Sequence, residues 1–162
     1  MSGVLLVCHA NTCRSVMAHV LLERMLAERG LGDRVRVRSA GVSPYARDGM
    51  LASLDARLVL KEIGILLAED TIVSTDLKAH RDLVGQARVI VTMTGEQKRL
   101  VAALVDGGEG PPTLTLRELA GESGDIGDPV GQGEDTYRAC RDEIARCLDK
   151  GFAALLGRMG AA

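Results

Sequence analysis

Val4-Leu5-Leu6-Val7-Cys8-His9-Ala10-Asn11-Thr12-Cys13-Arg14-Ser15 is the stretch that decides the fold. Four aliphatic residues in a row, 4–7, predict a strand buried on both faces, as in a parallel sheet, because a half-exposed strand would alternate apolar with polar. The run opens straight into polar residues with a helical pattern behind them. Over 15–29 the apolar Val16, Val20, Leu21 and Met25 separate from the polar His19, Glu23, Arg24 and Glu28, and Gly30 ends the pattern. Strand, loop and helix in this order begin an α/β fold, in which ligands gather beyond the carboxyl ends of the strands.

Further along, residues 34–39 alternate basic side chains with Val35 and Val37, which predicts a half-buried strand. Residues 50–63 predict a helix with Leu51, Leu54, Leu58 and Ile63 turned inward and Gly64 as its stop. Thr75-Asp76 reads as the cap of a short helix reaching Leu83. A buried strand over 89–93, a helix over 96–105, a short strand over 113–116 after Gly110-Pro111-Pro112, and a long helix over 134–156 complete the chain. The alternation predicts an α/β fold: a central parallel sheet flanked by helices on both faces, joined by right-handed crossovers, with the phosphate loop after the first strand. With no repeat, linker or low-complexity tract, a single domain over 1–162 is expected.

The 162 residues are 46% hydrophobic, enough for one substantial core. Twenty-two acidic against 20 basic residues leave no global field to recruit nucleic acid or anionic lipid, so neither is expected as a partner and any anion site must be local. No basic leader, cleavage pattern or apolar run approaching about 18 residues is present, so a cytoplasmic protein is expected. The four cysteines are then expected as free thiols. Tyr45, Tyr137 and Phe152 are the only aromatic residues, so packing must rest on aliphatic side chains. Nothing in the composition specifies an oligomeric state.

Five residues separate Cys8 from Arg14, enough to curl so that backbone N–H groups converge on one anion, backed by the positive end of the following helix. Arg14 adds a planar, permanently charged, bidentate grip on phosphate oxygens. Cys8, at the floor of this nest, is placed to act as a thiolate nucleophile, and Ser15 to donate a hydrogen bond to it. A free cysteine at a strand end is by default a small buried hydrophobe, so the chemistry rests on placement and on matching residues elsewhere.

Those residues resemble the low-molecular-weight protein tyrosine phosphatase family over nearly the whole chain. Val4 to Cys8, Asn11, Cys13-Arg14-Ser15, Met17-Ala18, Arg38-Ser39-Ala40-Gly41-Val42, Val89 to Thr94 and Asp125-Ile126-Gly127-Asp128-Pro129 fall in the family's order. The resemblance implies hydrolysis of phosphate monoesters through a phosphocysteine on Cys8, with Arg14 binding the transferring phosphate. Asp128 matches the general acid and base, with Asp125 as its fallback. Asn11 matches the residue bracing the loop, and Cys13 matches a second loop cysteine able to pair reversibly with an oxidised Cys8. Neither cofactor nor metal is required, because Arg14, the nest and the helix end supply the positive charge. Cys140 and Cys147 are expected in the core of the last helix, beside Ile144 and Leu148.

Several positions depart from the family pattern. Ala10 stands where Gly is usual, Val16 replaces a common Pro and His19 a common Glu. Val130-Gly131 follow Asp-Pro where tyrosine-specific members often carry aromatic residues. Tyr45 matches the opposite aromatic wall. His9 and Thr12 are expected to face the pocket, and Thr12 resembles the protein arginine phosphatase branch. The phosphorylated substrate is thus open between phosphotyrosine, phosphoarginine and a small phosphorylated metabolite. Two other classes share the loop. A non-catalytic phosphate-binding module has no use for Cys8 together with Asp128, and arsenate reductases need further cysteines in the middle segment, where this chain has none between Cys13 and Cys140.

Overall fold

The computed structural model describes residues 2–105 and 107–161. In chain order the elements are β1 (Ser2–Cys8), α1 (Arg14–Glu28), β2 (Val35–Gly41), α2 (Leu54–Lys61), α3 (Asp82–Gln86), β3 (Val89–Thr92), α4 (Gly95–Ala102), β4 (Thr113–Thr115), α5 (Leu116–Leu119) and α6 (Glu134–Met159). The four strands form one parallel sheet in the order β2-β1-β3-β4, with Cys8 aligned on Gly41. β1 lies inside the sheet, which is why its sequence is aliphatic without alternation.

Alternate residues of β1 feed two cores. Val4, Leu6 and Cys8 pack with α1, α2, α5 and α6, while Leu5 and Val7 pack with Leu77, with Val84 of α3 and with Val101 of α4. Helices therefore flank both faces, as the sequence predicts. Each fully buried Leu or Val contributes about 1.5–3 kcal/mol of transfer free energy. Of the three aromatic residues only Tyr137 and Phe152 are buried, and Arg29 lies over the Phe152 ring at 4.2 Å. Cys140, Ile144, Cys147 and Leu148 are buried along α6 as expected.

Three expectations require correction. α2 begins at Leu54, and Leu51, Leu54 and Leu58 are exposed, because the helix turns Ala56, Val59 and Leu60 inward. Its sequence carries two overlapping apolar stripes, and tertiary contact chooses between them: buried Arg141 of α6 donates to the Val59 carbonyl (2.7 Å) and to Glu62 (2.8 Å), which fixes the roll. Residues 75–81 form no helix. The Thr75 N–H is bound by the Asn11 side chain and the Leu77 N–H by the Gly41 carbonyl, so the chain first bridges to the end of β2 and then passes through a turn closed by Ala79 N–H to Asp76 and His80 N–H to Leu77, and α3 starts only at Asp82. Finally, β4 ends at Thr115, whose hydroxyl caps α5 in a capping box with Glu118.

Candidate active site

Cys8 is the last residue of β1 and Arg14 the first of α1, and both are buried. The intervening loop depends on Asn11, the only non-glycine among the described residues with a left-handed backbone (φ 61°). That turn aims the Asn11 N–H at the Cys8 sulfur, 3.3 Å away. Its side chain is fully used: Oδ1 accepts from the Thr75 N–H (2.9 Å) and Nδ2 donates to Ser15 Oγ (2.8 Å). Because Oγ receives that proton, the Ser15 hydroxyl is left to donate its own to Cys8 Sγ, at 2.9 Å. Two donors therefore converge on the sulfur, which fixes its position at the floor of the loop.

Ala10 is not among the residues with positive φ, so the alanine in place of the family's usual glycine carries no backbone penalty. Glycine is required instead at Gly41. A Cβ there would stand 2.8 Å from the Ala10 carbonyl carbon and 2.9 Å from the His9 oxygen. Val42 and Ser43 donate to the His9 carbonyl next door, so the end of β2 is the rail on which the loop rests. On the other flank, the Ser53 N–H donates to the Thr12 carbonyl at 2.8 Å.

The Asp125–Pro129 segment closes the site from α6's side. Arg14 Nη1 donates to the Ile126 carbonyl at 2.7 Å, and its Nη2 lies 3.6 Å from Asp128 Oδ2. Asp128 keeps 44% of its side chain accessible, whereas Arg14 keeps 5%, so the carboxylate can meet substrate and water while the guanidinium stays fixed. Asp125 is committed elsewhere: it accepts the Gly95 N–H at the start of α4 (2.9 Å), and its carbonyl accepts from Arg117. Cys13 is buried near Cys8 and Cys140, and burial first, then those neighbouring thiols, push its pKa well up, which keeps it a thiol. Burial likewise pushes Cys140 up to about 12.

His9 is exposed, Ala10 and Thr12 are half-buried, and Tyr45 stands 81% exposed on the loop after β2. That loop is pinned at its far end: Asp48 accepts from the Asp76 N–H (2.7 Å) and pairs with His80 (2.7 Å), and Lys78 donates to the Ser43 carbonyl. Gly41, the Ser53 amide, the Ile126 carbonyl and the Thr75 amide build the site without having been singled out as site residues. Three of them act through backbone groups that every sequence position carries, so residue type gives no signal.

A parallel sheet, a strand-end cysteine with donors aimed at its sulfur, a buried arginine behind it and a carboxylate across from it together specify one enzyme class. The family model "Low molecular weight phosphotyrosine protein phosphatase" matches residues 3–159. The chain belongs to that family. It is a cysteine-dependent phosphatase working through a phosphocysteine. Among its relatives, the protein-arginine-phosphatase of Geobacillus stearothermophilus is 37% identical over 148 residues, 91% of each chain. The low molecular weight protein-tyrosine-phosphatase PtpB of Staphylococcus haemolyticus is 32% identical over 145 residues, 89% of this chain and 93% of that one. Among solved structures, a YwlE arginine phosphatase whose active-site cysteine is replaced by a phosphorylated serine aligns with TM-score 0.80 at 32% identity, covering 96% of this chain and 95% of that one. Within this phosphatase, no group of three or more His, Cys, Asp or Glu among the described residues is placed to hold a metal ion, and no helix is long and apolar enough to cross a membrane.

Proposed function

We propose that the protein is a protein arginine phosphatase in which Cys8 is the nucleophile, Arg14 binds the transferring phosphoryl group and Asp128 is the general acid and base. The observation that carries the substrate class is the identity of two residues beside the machinery: half-buried Thr12 on the loop, and exposed Val130 right after Asp128-Pro129, where tyrosine-specific members often carry an aromatic residue. A guanidinium substrate offers planar N–H donors and positive charge, which suit a threonine hydroxyl and a carboxylate better than a ring slot. The 37% identity to a protein-arginine-phosphatase supports the same class. The four free cysteines fit a reducing cytoplasm.

In the reaction, the Cys8 thiolate attacks phosphorus in line, and the P–N bond breaks as Asp128 hands its proton to the leaving nitrogen. Asp128, now a carboxylate, then takes a proton from water, whose oxygen attacks the phosphocysteine. The S–P bond breaks, inorganic phosphate leaves and the thiolate is restored. Arg14 and the loop amides hold the equatorial oxygens through both steps. Exposed Tyr45 favours phosphotyrosine as the second reading, since its ring is free to stack on a phenyl group.

The test compares a phosphoarginine peptide, a phosphotyrosine peptide, phosphorylated sugars and nucleotides, and para-nitrophenyl phosphate. The highest kcat/KM is expected on phosphoarginine, with turnover of every substrate abolished by Cys8→Ser. Preference for phosphotyrosine or a metabolite moves the assignment to that substrate. Equal rates for wild type and Cys8→Ser overturn the nucleophile.

A further inference from the structure

The second apolar stripe of α2 is uncovered. Leu54 and Leu58 are 62% and 44% exposed, one helical turn apart, and Leu66 on the following segment is 81% exposed. Between them runs an open groove of about 410 Å³ floored by these residues and Leu67, with Arg57 and Lys61 also lining it. Large aliphatic side chains grouped in water with a polar rim around them mark a contact surface.

Its position identifies the occupant. Ser53, the residue before Leu54, caps α2 with its hydroxyl and donates its N–H to the Thr12 carbonyl of the phosphate loop. The groove therefore begins one residue from a direct contact with the phosphate loop. With a rise of about 1.5 Å per residue, Leu58 lies about 6 Å along the helix from Leu54, a span covered by two residues of extended chain at about 3.3 Å each. A peptide whose phosphorylated residue sits over Cys8 passes Thr12, the loop residue bound to Ser53, before it would meet Leu54.

We infer that this groove docks the phosphorylated protein itself, receiving two apolar side chains that lie a few residues to one side of the phosphorylated residue. The inference rests on a protein, rather than a metabolite, being the substrate. It adds a selection step to a pocket whose own contacts are mostly with phosphate: the active site recognises the modification, and the groove recognises the sequence around it. Exposed Leu residues of the substrate bury their surface on Leu54, Leu58 and Leu66, while Lys61 favours an acidic residue alongside them, Arg57 being held by the Leu67 carbonyl and Glu69.

Fluorescent phosphopeptides of about a dozen residues, in phosphoarginine and phosphotyrosine forms, would be titrated into the Cys8→Ser protein, so that binding is read without turnover. Each form carries either two leucines or two alanines on one flank, tried on both sides. The leucine peptides are expected to bind about tenfold tighter on one side, and Leu54→Glu with Leu58→Glu to erase that advantage. In the protein with intact Cys8 the same pair of changes should leave kcat/KM for para-nitrophenyl phosphate unaltered, and Leu66→Glu, from the other wall of the groove, should also weaken binding of the leucine peptides. Equal binding of leucine and alanine peptides overturns the inference, as does failure of every phosphopeptide to bind. A wild-type dimer in sedimentation that Leu58→Glu converts to monomer also overturns it, assigning the groove to self-association. Loss of para-nitrophenyl phosphate turnover in wild type would instead count against the catalytic assignment, so the two failures are distinguishable.

Discussion

At the scale of single residues, the site is a set of donors whose own partners are fixed. Ser15 is the informative case, because Asn11 occupies its oxygen and so directs its proton at Cys8. A hydrogen bond to a charged group is worth about 1.5–3 kcal/mol, so Ser15→Ala should lower kcat about tenfold to a hundredfold with little change in KM for para-nitrophenyl phosphate. Steady-state kinetics check this. Gly41 acts by what it lacks: Gly41→Ala places a methyl group 2.8 Å from the Ala10 carbonyl carbon and must displace the loop. We expect a loss of about 1–3 kcal/mol in urea unfolding and a fall in kcat/KM of about a hundredfold, since misplacing the nucleophile by about 1 Å is enough. Cys8 and Arg14 were legible as candidate site residues from their spacing and chemistry, and Asn11 and Asp128 from the resemblance to the family, because each role needs its own side chain. The Ile126 carbonyl that anchors Arg14 was not, because any residue there would present the same oxygen.

Between residue and domain, the elements differ in how openly they announce themselves. β1 and α1 were readable within one or two residues from hydrophobic pattern alone. The starts of α4 and α5 carry capping boxes, Thr94 with Gln97 and Thr115 with Glu118, a sequence signal that locates both helices once it is sought. The loop carrying Tyr45 is held by tertiary polar contacts, and here pH has leverage. His80 has its pKa raised above the ordinary 6.5, first by its hydrogen bond to Asp48, then by that charge and those of Asp82 and Asp76. Asp48 is lowered in turn, first by the Asp76 N–H and then by His80. The pair's contribution is complete below the ordinary histidine value and is lost as pH rises through the raised one. In an NMR titration His80 should therefore show its midpoint above 6.5, and Asp48→Asn should bring it down. A midpoint unaffected by Asp48→Asn would separate the loop from the pair.

Over the whole molecule, α6 is the element that ties the layers together. It packs against α1, α2 and α5, and Gly151 permits contact so close that a Cβ would meet the Leu119 carbonyl at 2.8 Å. Two carboxylates clamp it. Glu62 pairs with Arg138 and Arg141, and Glu122 with Arg146 and Lys150. Arg138 leads in holding Glu62, and Arg146 in holding Glu122, each at about 2 against an ordinary 4.5. Lowered carboxylates stabilise the fold above their ordinary value, and that contribution fades as pH falls towards about 2. The difference in melting temperature between wild type and Glu62→Gln should thus be largest near about pH 6 and shrink steadily on acidification. A difference that stays constant across that range would assign the effect to packing instead.

The sequence by itself determined the α/β class, the location of the phosphate loop and the candidate chemistry at Cys8, Arg14 and Asp128. The class, the loop and the pair Cys8 and Arg14 are written in local pattern, an unbroken aliphatic strand, a five-residue spacing and a helix start, whereas Asp128 was readable only through the resemblance to the family. Tertiary structure decided which stripe of α2 faces the core, that residues 75–81 form a bridge and turn in place of a helix, and that Asp125 serves α4. In each case the local preference was nearly balanced, with two apolar stripes on one helix, a cap residue without a committed helix, and two nearby aspartates. The balance was tipped by a distant polar group, Arg141 for α2, Asn11 for Thr75 and the Gly95 amide for Asp125. Hydrogen bonds to buried groups bring together residues far apart in the chain, and nothing local in the sequence records which partner a group will meet.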